Sequence, residues 1–344
     1  MRRILCLSTV AVLLFAAGCS SGGGKATAPA VTATPLPAGL AAATGWLAYS
    51  TGGENDRIHV SRINGSDDHE IAPELAGETV RADFSHDGRM AFALWPPNGG
   101  VHNIYVAQAD GTGARMIAEC RPSVCSRGFP AWSPDGKSLA VVVNFGPGDE
   151  QNPPPQVGIA VIDVATEAVR VVLRHASKDF QDGLVRWSPD GRRLAFYRWR
   201  DNPGQRPLPE ASVWVVNADG AGLKQLTPWN MLCGDPDWSL DGSQIICATY
   251  PPANFDAGPG NIYVLKADGS DKPRALTTNG AKGPRAAQPR FTPDGKYILY
   301  VRATYPAWDA PPRHIYALDP ATGQSTPVLT KGEFYTRPSL QPTQ

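Results

Sequence analysis

From Gly45 onward the chain repeats one strand-and-turn pattern, and this repeat restricts the possible folds more than any other property of the sequence. Its plainest form is an aromatic residue followed by Ser, Pro, Asp and Gly, then a short apolar run. It stands at residues 84–88, 132–136, 187–191, 238–242 and 291–295. The turn aspartates, Asp87, Asp135, Asp190, Asp241 and Asp294, lie 48, 55, 51 and 53 positions apart. A period of about fifty residues with strand-only content indicates a propeller or a solenoid, not a chain folded around one core.

The repeat has a local physical logic. Proline pre-sets φ near about −65° at the second turn position, Asp is accepted at the third, and Gly supplies the left-handed residue that reverses the chain. Apolar runs such as 193–197 and 297–301 follow as strands. A second hairpin comes next, with Gly in its turn in five of six copies: Gly65, Gly111, Gly220, Gly269 and Gly323. The remaining copy, 159–162, turns at residues 165–167 without Gly. Each hairpin leads to a further strand, as at 224–227 and 274–277. Every unit is thus four antiparallel strands, labelled A to D from the aromatic-Ser strand onward, which is the make-up of a propeller blade.

The two ends complete the count. Residues 45–50 match a B strand with no A strand before it, and residues 336–340 match an A strand with nothing after it. Paired, they form one blade and remove two open sheet edges. The expected fold is all-β: a six-bladed β-propeller of four-stranded antiparallel blades, closed by a C-terminal strand A pairing with N-terminal strands B to D.

The Trp-Ser-Pro-Asp-Gly turns and the Ile-Tyr-Val…Asp-Gly hairpins resemble the WD40-like PD40 repeats of the TolB-type propeller family, also found in propeller domains of dipeptidyl-peptidase-like proteins. The resemblance covers residues 45–342 and implies the fold, with strand A innermost. It implies no whole function, because the α/β domain that the TolB namesake adds and the hydrolase domain of the peptidases have no counterpart in this chain.

The N-terminus speaks to location. Met1, Arg2 and Arg3 form a basic start, and residues 4–15 an apolar stretch too short to span a bilayer as a stable helix. Ala16, Ala17, Gly18 and Cys19 resemble a lipobox, in which the Cys becomes the diacylated first residue of a bacterial lipoprotein. The expected organisation is a signal peptide at 1–18, lipidated Cys19 with a Gly/Ala/Thr/Pro tether at 19–44, and the propeller at 45–344. This places the protein in the bacterial cell envelope, lipid-anchored to the outer face of the cytoplasmic membrane or to an outer membrane. With 32 Lys and Arg against 32 Asp and Glu, no net field draws the chain to nucleic acid. An oxidising compartment makes two disulfides plausible, Cys120 with Cys125 and Cys233 with Cys247. The second pair stands about two positions from direct opposition across strands A and B, so it needs a backbone deviation at Gly234 or Pro236.

Strand alternation sorts the connections. The tight A–B and C–D turns share one face; the long B–C and D–A loops share the other. Aromatic residues stand at the ends of B strands and in these long loops: Trp95, Phe145, Trp199, Tyr250, Tyr305 and Trp308. They are candidates for a ligand rim, or else covers for the blade ends. The residue before the strand-A aromatic is charged in four copies, Asp83, Arg186, Asp237 and Arg290. With A innermost, these face the channel mouth, either to bind a polar ligand or to pair with one another. The turn aspartates are read as turn formers.

No nucleophile elbow, zinc-protease helix, haem-attachment site or phosphate loop occurs, and no cofactor or metal is expected. The reading is a membrane-anchored, monomeric binding or scaffold module for an envelope protein, peptide or glycan. The alternative is a propeller enzyme, a lyase or glycan-active hydrolase, with its site at the channel mouth.

Overall fold

The computed structural model describes residues 35–51, 56–97, 102–118, 125, 126, 128–146, 156–176, 180–200, 210–250, 260–280, 283–303, 312–330 and 335–342. Cys19 and the signal segment lie outside them. The described residues form six antiparallel sheets arranged as blades. The A strands are Thr336–Leu340, Glu78–Phe84, Cys125–Ser126 with Ala131–Trp132, Gln181–Trp187, Cys233–Trp238 and Arg285–Phe291. Each pairs with its B strand: Trp46–Ser50, Arg89–Trp95, Ser138–Phe145, Arg193–Arg200, Gln244–Thr249 and Ile298–Ala303. Strands C and D follow outward in the same order. Successive A strands touch one another around a closed ring, so A is the inner strand.

Closure of the first blade is made as the orphan strands imply. Leu47 pairs with Leu340 and Ala48 with Ser339. The Gln341 N–H donates to the Trp46 carbonyl at 2.8 Å, and its side-chain oxygen accepts from the Trp46 N–H at 3.1 Å. The sheet edges that would otherwise lie open are thereby satisfied.

There is no single central core. Six apolar clusters lie one between each pair of adjacent blades; one joins Val80, Ala93 and Ile104 of the second blade to Trp132, Leu139 and Val141 of the third. Burial on both faces explains the unbroken apolar B strands, in which every residue from Met90 to Leu94 and from Leu139 to Val143 is buried. On the turn face the blades are also tied by cations. Arg89 lies over Trp132 and donates to the Gly136 carbonyl, and Arg193 repeats both contacts with Trp238 and Gly242.

The turns behave as their composition requires. The Gly136 N–H donates to the Ser133 carbonyl at 2.9 Å, Gly136 sits at φ 67°, and the Ser133 hydroxyl donates to Asp135 at 2.6 Å. Ser188, Ser239 and Thr292 make the same bond to Asp190, Asp241 and Asp294. These carboxylates are spent locally.

One boundary differs from expectation. Leu40 is 2% exposed on a single helical turn, Ala38–Ala41, packed with Leu47, Leu299 and Ile315 at the seam of the first and sixth blades. The compact unit therefore begins at Pro35. Leu36 and Leu40 supply apolar area that a free tether would leave in water.

Candidate functional site

Every inner strand breaks its register at the same place. The residue three before the aromatic position takes a left-handed backbone conformation in all six blades: Arg337, Arg81, Phe129, Leu184, Asp235 and Gln288, with φ between 41° and 65°. None is glycine, and each such residue costs about 1–3 kcal/mol. In all six blades a register shift sits at or beside this residue or divides the strand around it, the geometry of a β-bulge. The consequence is directional. Residues flanking the bulge, such as Val80 and Ala82 or Gly183 and Val185, are buried, whereas Arg81, Phe129, Leu184, Gln288 and Arg337 keep access to solvent. Their side chains meet around the ring: Arg81 lies over Phe129, and the Arg337 N–H donates to the Gln288 side chain at 2.8 Å. The bulges thus line the central channel.

The four charged residues one step before the aromatic form a second tier, nearer the turn face. Arg290 contacts Asp83 at 2.8 Å and Asp237 at 3.5 Å, and Arg186 lies 3.9 Å from Asp237. Asp83 also accepts the Trp132 N–H and Asp237 the Phe291 N–H, each at 2.8 Å. Blades two to six are linked through these contacts. Of the two alternatives open in the sequence, mutual pairing describes this tier: each carboxylate holds a cation and the backbone of the next blade. Burial lowers the Arg186 guanidinium, with Arg290 adding to the effect and Asp83 and Asp237 opposing it, to about 10.

The rim residues do not behave alike. Trp95 is 40% exposed, tilted against His102 with ring centres 5.3 Å apart. Trp199 is half-buried opposite Gln181. Phe145 is a correction: at 2% exposure it belongs to the core between blades two and three, with Arg174 over its ring, and presents no face to a ligand. Tyr250 turns inward instead, donating its hydroxyl to Asp235 of the bulge tier. Tyr305 and Trp308 lie outside the described residues.

Cys233 and Cys247 form a disulfide, with Cα atoms 5.8 Å apart. Cys233 pairs in register with Thr249; the bulge at Asp235 supplies the backbone deviation that brings the two sulfurs together. Cys120 and the side chain of Cys125 lie outside the described part.

Two features escaped sequence reasoning. The bulge tier carries no residue-type signal, since Arg, Phe, Leu, Asp and Gln all occupy it; the one clue is that this column varies freely inside an otherwise regular repeat. The other is a buried cluster at the loop end of the fourth blade. Asp182 binds His175 Nε2 at 2.7 Å and Arg198 Nε at 2.7 Å. The second ring nitrogen of His175 faces the Ala176 carbonyl at 3.2 Å, so both nitrogens are engaged and the ring is not poised as a general base. A cleft of about 450 Å3 between blades five and six opens on the turn face, beside Leu240, Asp241 and Asp294. Its carboxylates are the turn formers already described.

The sequence matches the PD40 family model, described as the TolB beta propeller domain, over residues 85–344. Over 183 residues it is 28% identical to a protein of Anaeromyxobacter dehalogenans named Tol-Pal system protein TolB, covering 53% of this chain and 37% of that protein. The chain thus spans about a third of the length of the curated relatives it matches. Among solved structures it resembles TolB from Acinetobacter baumannii, with a TM-score of 0.63 at 16% identity, covering 87% of this chain and 67% of that one. It also resembles an oligogalacturonate lyase in complex with manganese, with a TM-score of 0.52 at 18% identity, covering 83% and 74%. At these identities the structural likeness is one of fold.

Proposed function

The chain belongs to the TolB beta propeller domain family, and from that premise we propose that it is a binding or scaffold module of the bacterial cell envelope. The module holds a protein partner on the loop face and performs no chemistry of its own. The observation that carries this reading is the asymmetry of the ring. The turn face is closed by short self-satisfied turns, while the connections at the other strand ends are long in sequence and Trp95 stands exposed there. Relatives named for the Tol-Pal system support an envelope partner. In this reading Cys19 carries the lipid, and the segment between Cys19 and Pro35 is the tether. The Cys233–Cys247 disulfide is consistent with an oxidising compartment.

The test is a crosslinking capture from intact envelopes with the wild-type chain and with Trp95→Ala combined with Trp199→Ala. A partner captured by the wild type and lost with the double variant is the expected result. Undiminished capture by a folded double variant would sink the aromatic-face reading.

A further inference from the structure

The bulge tier is not electrostatically complete. Arg337 is paired with Asp56 at 2.9 Å. Asp235 accepts the Tyr250 hydroxyl, and Arg285 lies over the Tyr250 ring with its guanidinium carbon 5.0 Å from the centre. Among the described residues Arg81 has neither a hydrogen bond nor an ion pair; its guanidinium rests on the Phe129 ring alone. Arg81, Arg337, Arg285 and Arg186 all act on Asp235, and Asp235 and Asp56 are the carboxylates among the described residues that act on Arg81, neither of them bonded to it. Arg81, like Arg337, is held out from its strand by a strained backbone, at φ 65°. Strain that recurs around a ring and points side chains into a channel is a functional signal when one of those side chains lacks a partner.

Two phenol rings pack against the inner strands of the tier. A Cβ at Gly183 would stand 2.5 Å from the Tyr197 ring, and one at Gly234 would stand 2.9 Å from Tyr250. Glycine at these two positions lets both phenol rings lie against the inner strands. Tyr197, Asp235 and Asp56 are all near enough to act on the Arg81 charge, as is the Arg337 guanidinium. Below, towards the turn face, the paired tier of Asp83, Arg186, Asp237 and Arg290 is already neutral and supplies a floor.

We propose that the central channel is a binding site for one carboxylate group, held by the Arg81 guanidinium between Phe129, Tyr197 and the Arg337–Asp56 pair. A guanidinium meets a carboxylate through two parallel N–H bonds, and a half-enclosed channel strengthens them. Burial, with the Arg337 charge second, pushes the Arg81 guanidinium well below its ordinary range, a penalty that an incoming anion relieves. The inference deepens the function proposed above, on which it rests for the direction of entry. It names the chemistry of the group presented to the channel: a small carboxylic acid, or an acidic side chain or chain end of a partner.

Titration calorimetry of the full chain with two probes tests the site and separates these sources: succinate, and a capped tripeptide with one glutamate. Binding of either by the wild type, weakened about tenfold or more by Arg81→Gln and weakened less by Arg81→Lys, which keeps the charge but not the paired N–H bonds, is the expected result. Succinate alone would assign a small acid as the source, and the peptide alone would assign a protein carboxylate. Phe129→Asp places a carboxylate beside Arg81 and should abolish binding of both probes; this variant carries the test if Arg81→Gln does not fold. Absence of binding by the wild type at millimolar probe, or equal affinity in either folded variant, overturns the proposal. Neither probe needs a partner protein, so a failed envelope capture and a failed channel remain distinguishable.

Discussion

Replacing Arg290 by Met probes what the paired tier contributes to closing the ring. Arg290 is the only described cation that contacts both Asp83 and Asp237, at 2.8 and 3.5 Å. Its side chain is 19% exposed and those of the carboxylates 8% and 12%. Removing one member of such a buried group leaves charges without compensation, at a cost of about 3–5 kcal/mol. Two facts place the expectation at the lower end, about 3 kcal/mol. Asp83 keeps the Trp132 N–H, and Asp237 keeps the Phe291 N–H and Arg186. Urea unfolding followed by tryptophan fluorescence is the assay, and a double-mutant cycle with Asp83→Asn isolates the pair, with an expected coupling of about 1–2 kcal/mol. Lys266→Ala is the internal control. Its partner Asp271 lies in open solvent at 2.8 Å, and an exposed pair of this kind is screened, so no resolvable change is expected. If Arg290→Met unfolds at the wild-type urea midpoint, the tier does not bind the blades together.

Two further perturbations follow from the same structure. Deleting residues 337–344 removes the inner strand of the first blade, including Leu340, whose burial alone is worth about 2–5 kcal/mol; an unchanged melting temperature would refute closure by this strand. Asp182→Asn addresses acid stability. Burial raises the Asp182 carboxyl, but the bonds from His175 and Arg198 outweigh it, so its folded value lies below its unfolded one. That stabilisation is present above the ordinary carboxylate range near about 4 and is lost as pH falls below it. The variant should therefore flatten the acid limb of a melting-temperature profile between neutral pH and strongly acidic conditions, and an unaltered limb would contradict the assignment.

Much of the architecture was legible before any coordinates. A turn that needs Pro for its φ, Asp for its side-chain acceptor and Gly for its left-handed residue writes itself into the sequence, and five copies of it set the blade length. The orphan strands at 45–50 and 336–340 disclosed the sixth blade, because an unpaired strand has an unsatisfied backbone. The rim was legible only in part. Phe145 stands at the end of a strand like Trp95, yet it is buried, because its side chain falls on the face covered by the neighbouring blade. Sequence position tells which strand end a residue occupies, not which surface the adjacent blade leaves open.

The repeat, the blade number, the closure and the charged column of Asp83, Arg186, Asp237 and Arg290 can all be read along the chain, since each depends on local backbone preference or on strand alternation. That this column neutralises itself across the ring, and that a bulge two residues earlier in each strand turns Arg81, Asp235 and Arg337 towards a common axis, emerges only when the blades are assembled. A left-handed non-glycine residue has no compositional signature; it is imposed by six blades crowding around one channel, and the charges it brings together lie hundreds of residues apart in the chain.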